Sequence, residues 1–301
     1  MSAENKNTNY IKKTYSAFEI SEKKILDFYS KSFSNRSCKL ENLWKWIYRT
    51  DFFPTKKHPV IAMNESEEKV VGHMGIIPFW LALEEKKILA SWYTDMYVEP
   101  NYRGRGIAKA VTNDLMKLTD IHFGFVGNDQ SMGVFKKFDW VDGHEGYLHH
   151  FTIQPMNYPK FSKYSRNLKW IYFLINFIFK YISTSFYKLK KNDNNILSVH
   201  SLDKENIETF IDIKNINNLI KPIRDKEYLY WRFLNSPEKN KYKIFKERNN
   251  IAALVKERKD KQNSWHLDIL LISDFSKTPD IISLLAKIIL WAEKNNFSYV
   301  R

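Results

Sequence analysis

The chain has 301 residues, 44% hydrophobic and 27% charged, enough apolar material for one large globular domain or two ordinary ones. Lys and Arg number 48 against 34 Asp and Glu, a net charge of +14, and the single cysteine, Cys38, excludes a disulfide framework and suits a reducing cytoplasm. The charge is spread through a Lys-rich chain with no zinc finger, RNA-binding signature or basic zipper, so nucleic acid is not an expected partner.

In chain order, residues 1–13 are polar and lack the apolar core of a secretion signal. A weak alternation over 15–20 predicts a first strand. Ile25, Leu26, Phe28, Tyr29 and Phe33 recur at helical spacing and predict a helix over 21–34, with Ser21 as its N-cap. A second helix follows over 41–49. Strands are expected over 60–63 and 70–83, the latter broken near Pro78, which cannot donate to a ladder. A hairpin turn at Lys86-Lys87 leads into a strand over 88–98. A helix over 107–118 buries Ala108, Val111, Leu115 and Leu118 on one face. A short strand over 121–126, a helix over 129–138 and a strand over 147–153 complete an α/β unit. From residue 196 the pattern restarts: a helix over 204–214, the cluster of 228–233, strands over 241–246, 251–256 and 265–272, and a helix over 280–294.

Between the two runs lies a basic, aromatic segment. Its apolar stretch, 168–182, is too short and too interrupted to span a bilayer, which takes about 20 apolar residues. Two readings stay open. A helix of this length suits burial between the halves; alternatively, the flanking Lys160, Lys163, Arg166, Lys188, Lys190 and Lys191 suit a helix lying on a membrane surface.

The chemistry sits between 92 and 118. A strand ends at Val98-Glu99-Pro100, a turn carries Gly104 and Gly106, and a helix opens at Ile107. A helix N-terminus offers unpaired N–H groups and a partial positive charge; glycines let backbone approach an anion, and Arg103 and Arg105 add charge. The turn is therefore a cradle for a pyrophosphate. Its spacing fits neither the dinucleotide-binding fingerprint nor the Walker loop. What it fits is R-x-x-G-x-A after V-x-P, read here from Val98 to Ala108. This closely resembles the acetyl-CoA loop of the GNAT superfamily of N-acetyltransferases.

The resemblance extends over 14–154 in element order. It implies an α/β GNAT fold with a mixed, mostly antiparallel central sheet flanked by helices. It implies acetyl-CoA as acyl donor, held by Arg103, Gly104, Arg105, Gly106, Ile107 and Ala108. The pantetheine arm would pair like an added strand with backbone of Met96, Tyr97 and Val98, one of whose N–H groups would hold the developing oxyanion. Asn128 stands at the next family position, and Phe135 where members often carry the tyrosine that protonates the departing thiolate. A phenyl ring cannot do so. Either the thiolate leaves unassisted, or Ser131, one turn earlier, donates, or the site is inactive. Asp95, where members often carry an acid, is the candidate general base for the amine, with Glu99 and His73 behind it. No metal is expected, since His144, His149 and His150 lack a zinc spacing.

The domains expected are a cofactor domain over 14–155, a connector over 156–195, and a degenerate, incomplete GNAT-like half over 196–301 that closes the acceptor cleft or builds a dimer. The turn at 273–278 has no glycine cradle, so no second cofactor is expected. The whole resembles two-half bacterial proteins of surface-polysaccharide synthesis. The expected activity is acetyl transfer to a primary amine of a small acceptor such as an amino sugar. A non-catalytic CoA-binding or protein-interaction module and an aminoacyl or peptidyl transferase of the tandem kind stand as alternatives. Oligomeric state is not legible.

Overall fold

The computed structural model describes residues 14–33, 40–50, 52, 58–83, 86–125, 129–141, 143, 150–154, 169–190, 197–211, 220–247, 251–260, 264–273 and 278–301. Two compact units divide the chain: Met1–Gly143 with Asn215–Ile223, and His144–Lys214 with Arg224–Arg301.

In the first unit, strand β1 (Thr14–Ser16) precedes helices α1 (Glu22–Ser32) and α2 (Leu40–Tyr48). Strands β2 (Val60–Asn64), β3 (Lys69–Leu83) and β4 (Lys86–Val98) form an antiparallel meander. A single 3-10 turn at Pro100–Tyr102 leads to helix α3 (Ile107–Leu115), which crosses to β5 (Ile121–Gly124), parallel to β4. Helix α4 (Asp129–Phe135) follows and runs into a 3-10 turn ending at Phe138. The strand order is β1-β2-β3-β4-β5. Ser21 precedes α1 as expected, but its side chain caps no N–H. Strand β3 runs unbroken through Pro78, contrary to the sequence expectation. The ladder with β2 stops at Met74, so that edge of β3 asks no N–H of the proline. Leu83 pairs with Lys86 and Ala82 with Lys87, so Lys86 and Lys87 lie in strand β4 rather than in a turn.

Side-chain alternation gives the sheet two apolar faces. One packs Ile61, Met63 and Val70 on α1 and α2 through Ile25, Phe28, Tyr29, Trp44 and Tyr48. The other packs Val60, Ala62, Val71 and Met74 on α3 through Ile107, Val111 and Leu115.

The second unit holds β6 (Phe151–Thr152), α5 (Lys169–Lys190), β7 (Ser198–Ser201), α6 (Lys204–Ile207), α7 (Lys226–Leu229), β9 (Tyr242–Lys246), β10 (Ala252–Lys259), β11 (Trp265–Ile272), α8 (Thr278–Lys294) and β12 (Tyr299–Val300); β8 (Lys221–Pro222) pairs with β3 of the first unit. The helix expected over 204–214 is one turn of α-helix continued by a 3-10 turn at Glu208–Phe210. The cluster of 228–233 forms α7 and a wide π turn, Tyr230–Leu234, closed by Asn235 N–H on the Tyr230 carbonyl. The sheet order is β6-β12-β11-β10-β9-β7.

The order of events repeats that of the first unit. An edge strand, β7, and two short helices come first. A meander β9-β10-β11 follows, then a crossover helix, α8, to a parallel strand, β12. Again one face packs the early helices, through Ile207, Phe210 and Leu229, and the other packs the crossover helix, through Leu284, Ile288 and Ile289.

The domain boundary differs from the sequence reading. The strand expected over 147–153 to close the first unit is described only as β6, which pairs with β12 in the second sheet. The break therefore falls near 143, not 155, because the last strand of the first run finds its partner 147 residues away, Thr152 opposite Tyr299. On helix α5, Phe173, Phe177, Tyr181 and Ile182 are exposed to solvent. No described helix is long and apolar enough to cross a membrane.

Candidate functional site

Strands β4 and β5 run together from Ala90–Ile121 to Tyr93–Gly124 and then part, because β5 ends while β4 continues to Val98. Beyond Tyr93, the β5-facing edge of β4 has no strand partner among the described residues. A bulge lies at the same place: His73 opposes Tyr97 and Gly75 opposes Thr94, so β4 carries an extra residue there. Asp95 takes the strain, with φ +56°.

That bulge is clamped from the α1–α2 face. Asp95 is 7% exposed, and its Oδ2 accepts hydrogen bonds from the hydroxyls of Tyr29 and Tyr48, each 2.7 Å away. Thr94 donates to its Oδ1 at 3.1 Å. The Asp95 carbonyl lies 2.9 Å from His73 Nδ1, while Trp44 Nε1 donates toward His73 Nε2 at 3.5 Å. Those two contacts fit one tautomer, with the proton on Nδ1. Tyr48 reaches the bulge only because residue 75 is glycine; a Cβ there would lie 2.4 Å from the tyrosine ring.

A cavity of about 660 Å³ opens where the strands part. One wall is backbone and side chains of Met96, Tyr97 and Val98; another is Gly104, Gly106, Ile107, Ala108 and Lys109. Gly104 and Gly106 have φ of +76° and +81°, the left-handed region that glycine enters without penalty. Gly106 is the N-cap of α3 and supplies no side-chain cap. The first intrahelical bond is Ala110 N–H to the Gly106 carbonyl, so the N–H groups of Ile107, Ala108 and Lys109 carry none and stand at the cavity wall. Arg103 braces the turn by donating from Nε to the Val98 carbonyl at 3.1 Å, its guanidinium 5.7 Å from the Tyr97 ring centre. Arg105 does not line the cavity; it lies over the Tyr102 ring at 5.2 Å. Tyr102, also at the cavity, donates its hydroxyl to the Glu67 carboxylate and accepts from Asn64.

From α4 come Ser131 and Val134, and from the turn after it Lys137 and Phe138. Lys109 and Lys137 were missed in the sequence. Lys109 was legible as the third residue of the helix, whereas Lys137 depends on how α4 docks. Asn128 lies outside the described residues.

Phe135 is not a wall of this cavity. It is 6% exposed and packs edge-on to Tyr93, centroids 6.0 Å apart, and on Trp140 at 4.5 Å. Its apolar ring gains more from that core than from a polar cleft, which removes it from the cofactor contacts expected of it. The Tyr93 hydroxyl beside it is buried with no hydrogen-bond partner among the described residues, and burial pushes its pKa up, so it stays protonated. Asp95 does not line the cavity either; it touches the site only through the backbone it holds. No cluster that could hold a metal ion exists among the described residues.

The arrangement can bind an extended, phosphorylated ligand: hydrogen-bonding backbone along one wall, free helix N–H groups and three cations, Arg103, Lys109 and Lys137, along the others. The family profile described as "Acetyltransferase (GNAT) domain" matches residues 18–119. Among curated proteins, no sequence matches the chain. Among solved structures, a GCN5-related N-acetyltransferase from Anabaena variabilis is 12% identical, with TM-score 0.55 over 96% of this chain and 64% of its own. A probable N-acyltransferase from Enterococcus faecalis is also 12% identical, with TM-score 0.57 over 96% and 63%. The N-myristoyltransferase of Saccharomyces cerevisiae, solved with myristoyl-CoA bound, is 10% identical, with TM-score 0.53 over 96% and 75%. The chain thus spans under two thirds of the first of these relatives and shares its fold across both units. Residues 18–119, which carry the meander, the glycine turn and the crossover helix, are thus similar to a GNAT acetyltransferase domain.

Proposed function

We propose that the cavity at the parting of β4 and β5 takes an acyl-CoA, acetyl-CoA in the first instance. We further propose that the protein transfers the acyl group to the primary amine of a small acceptor such as an amino sugar. The observation that carries this is a single cavity walled by both the unpartnered edge of β4 and the free N-terminus of α3. Acyl-CoA supplies an acyl group activated as a thioester. The N–H groups of α3 and the cations Arg103, Lys109 and Lys137 hold its phosphates. Backbone N–H groups among Met96, Tyr97 and Val98 hold the acyl carbonyl where negative charge develops. The amine nitrogen bonds to the acyl carbon and gives up a proton to solvent water, while Ser131, at the cavity wall, relays a proton from water to the sulfur as the C–S bond breaks and keeps its own hydroxyl. The thiol's ordinary pKa of about 8.5 makes that donation a modest aid rather than a necessity. Asp95 can serve as base only through its tyrosines, so we assign it first to holding the bulge. Arg105, Phe135 and Asn128 carry less of the reading than the other cofactor residues.

The second unit repeats the topology of the first, and we read it as a GNAT-like half without a cofactor loop. A bacterial cytoplasm suits the single cysteine. A second reading draws on Phe135: with no tyrosine on α4 at the cleft, the unit could bind CoA without turning it over. The glycine turn, intact here, argues against the tandem aminoacyl or peptidyl transferases.

Titration calorimetry with acetyl-CoA tests the binding. Saturable heat is expected well below about 1 mM, a binding free energy beyond −4.1 kcal/mol; its absence at that concentration removes the proposal. Gly106→Trp sets a bulky ring at the wall in a strained backbone and should abolish the heat. Release of free thiol with a panel of amines, across acetyl-CoA and myristoyl-CoA, separates enzyme from binding module. Ser131→Ala should lower turnover and leave binding unchanged.

A further inference from the structure

Helix α5 runs 22 residues, yet eight of its large apolar side chains lie on solvent: Phe173, Leu174, Ile175, Phe177, Ile178, Phe179, Tyr181 and Ile182, between 39% and 74% exposed. Their spacing is i, i+1, i+2, i+4, i+5, i+6, i+8 and i+9. At 100° per residue they fall within about two thirds of the helix circumference, as one broad stripe. Among the described side chains of the helix, Tyr187, near the far end and on the other side, packs against the core of the second unit. The helix is therefore anchored by one face and presents an apolar stripe with the opposite one. Soluble proteins seldom leave so contiguous an apolar patch uncovered.

Charge says what covers it. From Gly146 to Asn192 the sequence contains no Asp or Glu and eight Lys or Arg: Lys160, Lys163, Arg166, Lys169, Lys180, Lys188, Lys190 and Lys191. This one stretch holds more than half of the net +14. A second copy of the chain would bring the same cations against the first, and like charges repel. A span across the bilayer is closed off by length and composition. An apolar stripe with cations on both sides and no acids is what an anionic lipid surface accepts. The stripe enters the boundary between headgroups and acyl chains, and the cations meet lipid phosphates.

We propose that α5 is a membrane-surface helix that docks this protein on anionic bilayers, its stripe from Phe173 to Ile182 lying in the plane of the interface. The proposal stands apart from acyl transfer, and no readout below uses that reaction.

The full chain is sedimented with vesicles of phosphatidylglycerol and phosphatidylcholine in equal parts, and with phosphatidylcholine alone. Partition onto the anionic vesicles should be at least about tenfold stronger and should fall steeply in 0.5 M salt, where screening shortens the reach of the cations. Phe177→Glu with Ile178→Glu should lower it about tenfold or more, by placing charge in the stripe. Both positions are exposed, so far-ultraviolet circular dichroism should be unchanged. Lys188→Glu with Lys190→Glu should weaken binding to anionic vesicles and leave the salt-independent remainder alone. Three results would overturn the proposal: no partition onto either vesicle, equal partition onto both, or a solution dimer that the Phe177→Glu, Ile178→Glu variant dissociates.

Discussion

Asp95 shows how a residue type can be legible while its work is not. The sequence places an acid three residues before Val98, and the spacing suggests a base. The structure gives that carboxylate two tyrosine hydroxyls and seals it from the cavity. Such charge-assisted bonds are worth more than neutral ones, so Asp95→Asn should cost about 1–3 kcal/mol of stability and weaken acetyl-CoA binding through a loosened bulge. Denaturant unfolding and calorimetry measure both. A direct base role predicts the reverse: intact stability and binding, with the acidic limb of the pH–rate profile lost. His58 carries a second expectation. It is 1% exposed, and burial, with Arg49 nearby, lowers its pKa to about 4. Its folded pKa lies below its unfolded value near 6.5, so the unfolded chain takes up the proton first as pH falls. Stability from this site is complete above pH 6.5 and is lost between there and pH 4, by about 3 kcal/mol in all. Unfolding midpoints across that range should slope less steeply in His58→Phe.

Elements differ in how much of them the sequence discloses. The order strand, glycine turn, helix was readable because each part has its own local signal: Pro100 ends a strand, Gly104 and Gly106 take positive φ, and Ile107, Val111 and Leu115 mark a buried helical face. The facing of α4 was not readable. A seven-residue helix turns its phenylalanine to the core and its serine to the cleft according to what it packs on, here Trp140, five residues on, and Tyr93, which is distant in sequence. The bulge in β4 was hidden too, since it is set by Tyr29 and Tyr48 reaching across from α1 and α2. That dependence makes β3 a sensitive element. Gly75→Ala would put a methyl into the Tyr48 ring and should cost about 1–3 kcal/mol, as overpacking does. It should also weaken acetyl-CoA binding, although residue 75 is no part of the cavity wall. Unchanged binding in a folded Gly75→Ala protein would mean that the clamp does not govern the cleft.

On the scale of the molecule, both units follow one plan, an edge strand, two helices, a meander and a crossover. The sequence showed the restart at 196 because each run has its own apolar periodicity. It could not show that β6 belongs to the second sheet, because a two-residue strand carries almost no local pattern and its assignment rests on pairing with Tyr299 and Val300. The units differ where β4 and β11 leave their crossovers. In the second, the parallel pair of His266 with Tyr299 is extended by the Arg301 N–H donating to the Leu267 carbonyl and the Ile269 N–H donating to the Arg301 carbonyl, and by a paired Arg301–Asp268 side-chain contact. In the first, the corresponding ladder ends at Tyr93–Gly124, and beyond it that edge of β4 has no strand partner among the described residues. On the proposed reading, an acyl-CoA at that edge supplies hydrogen bonds that the described residues do not make, which ties folding to metabolism: the native state should be firmer when acyl donor is abundant. At a hundredfold excess over its dissociation constant, acetyl-CoA should add about 2.7 kcal/mol. Amide hydrogen exchange should slow in residues 94–98 and stay as it was in β11, making the first sheet a gauge of how much activated acyl group surrounds it.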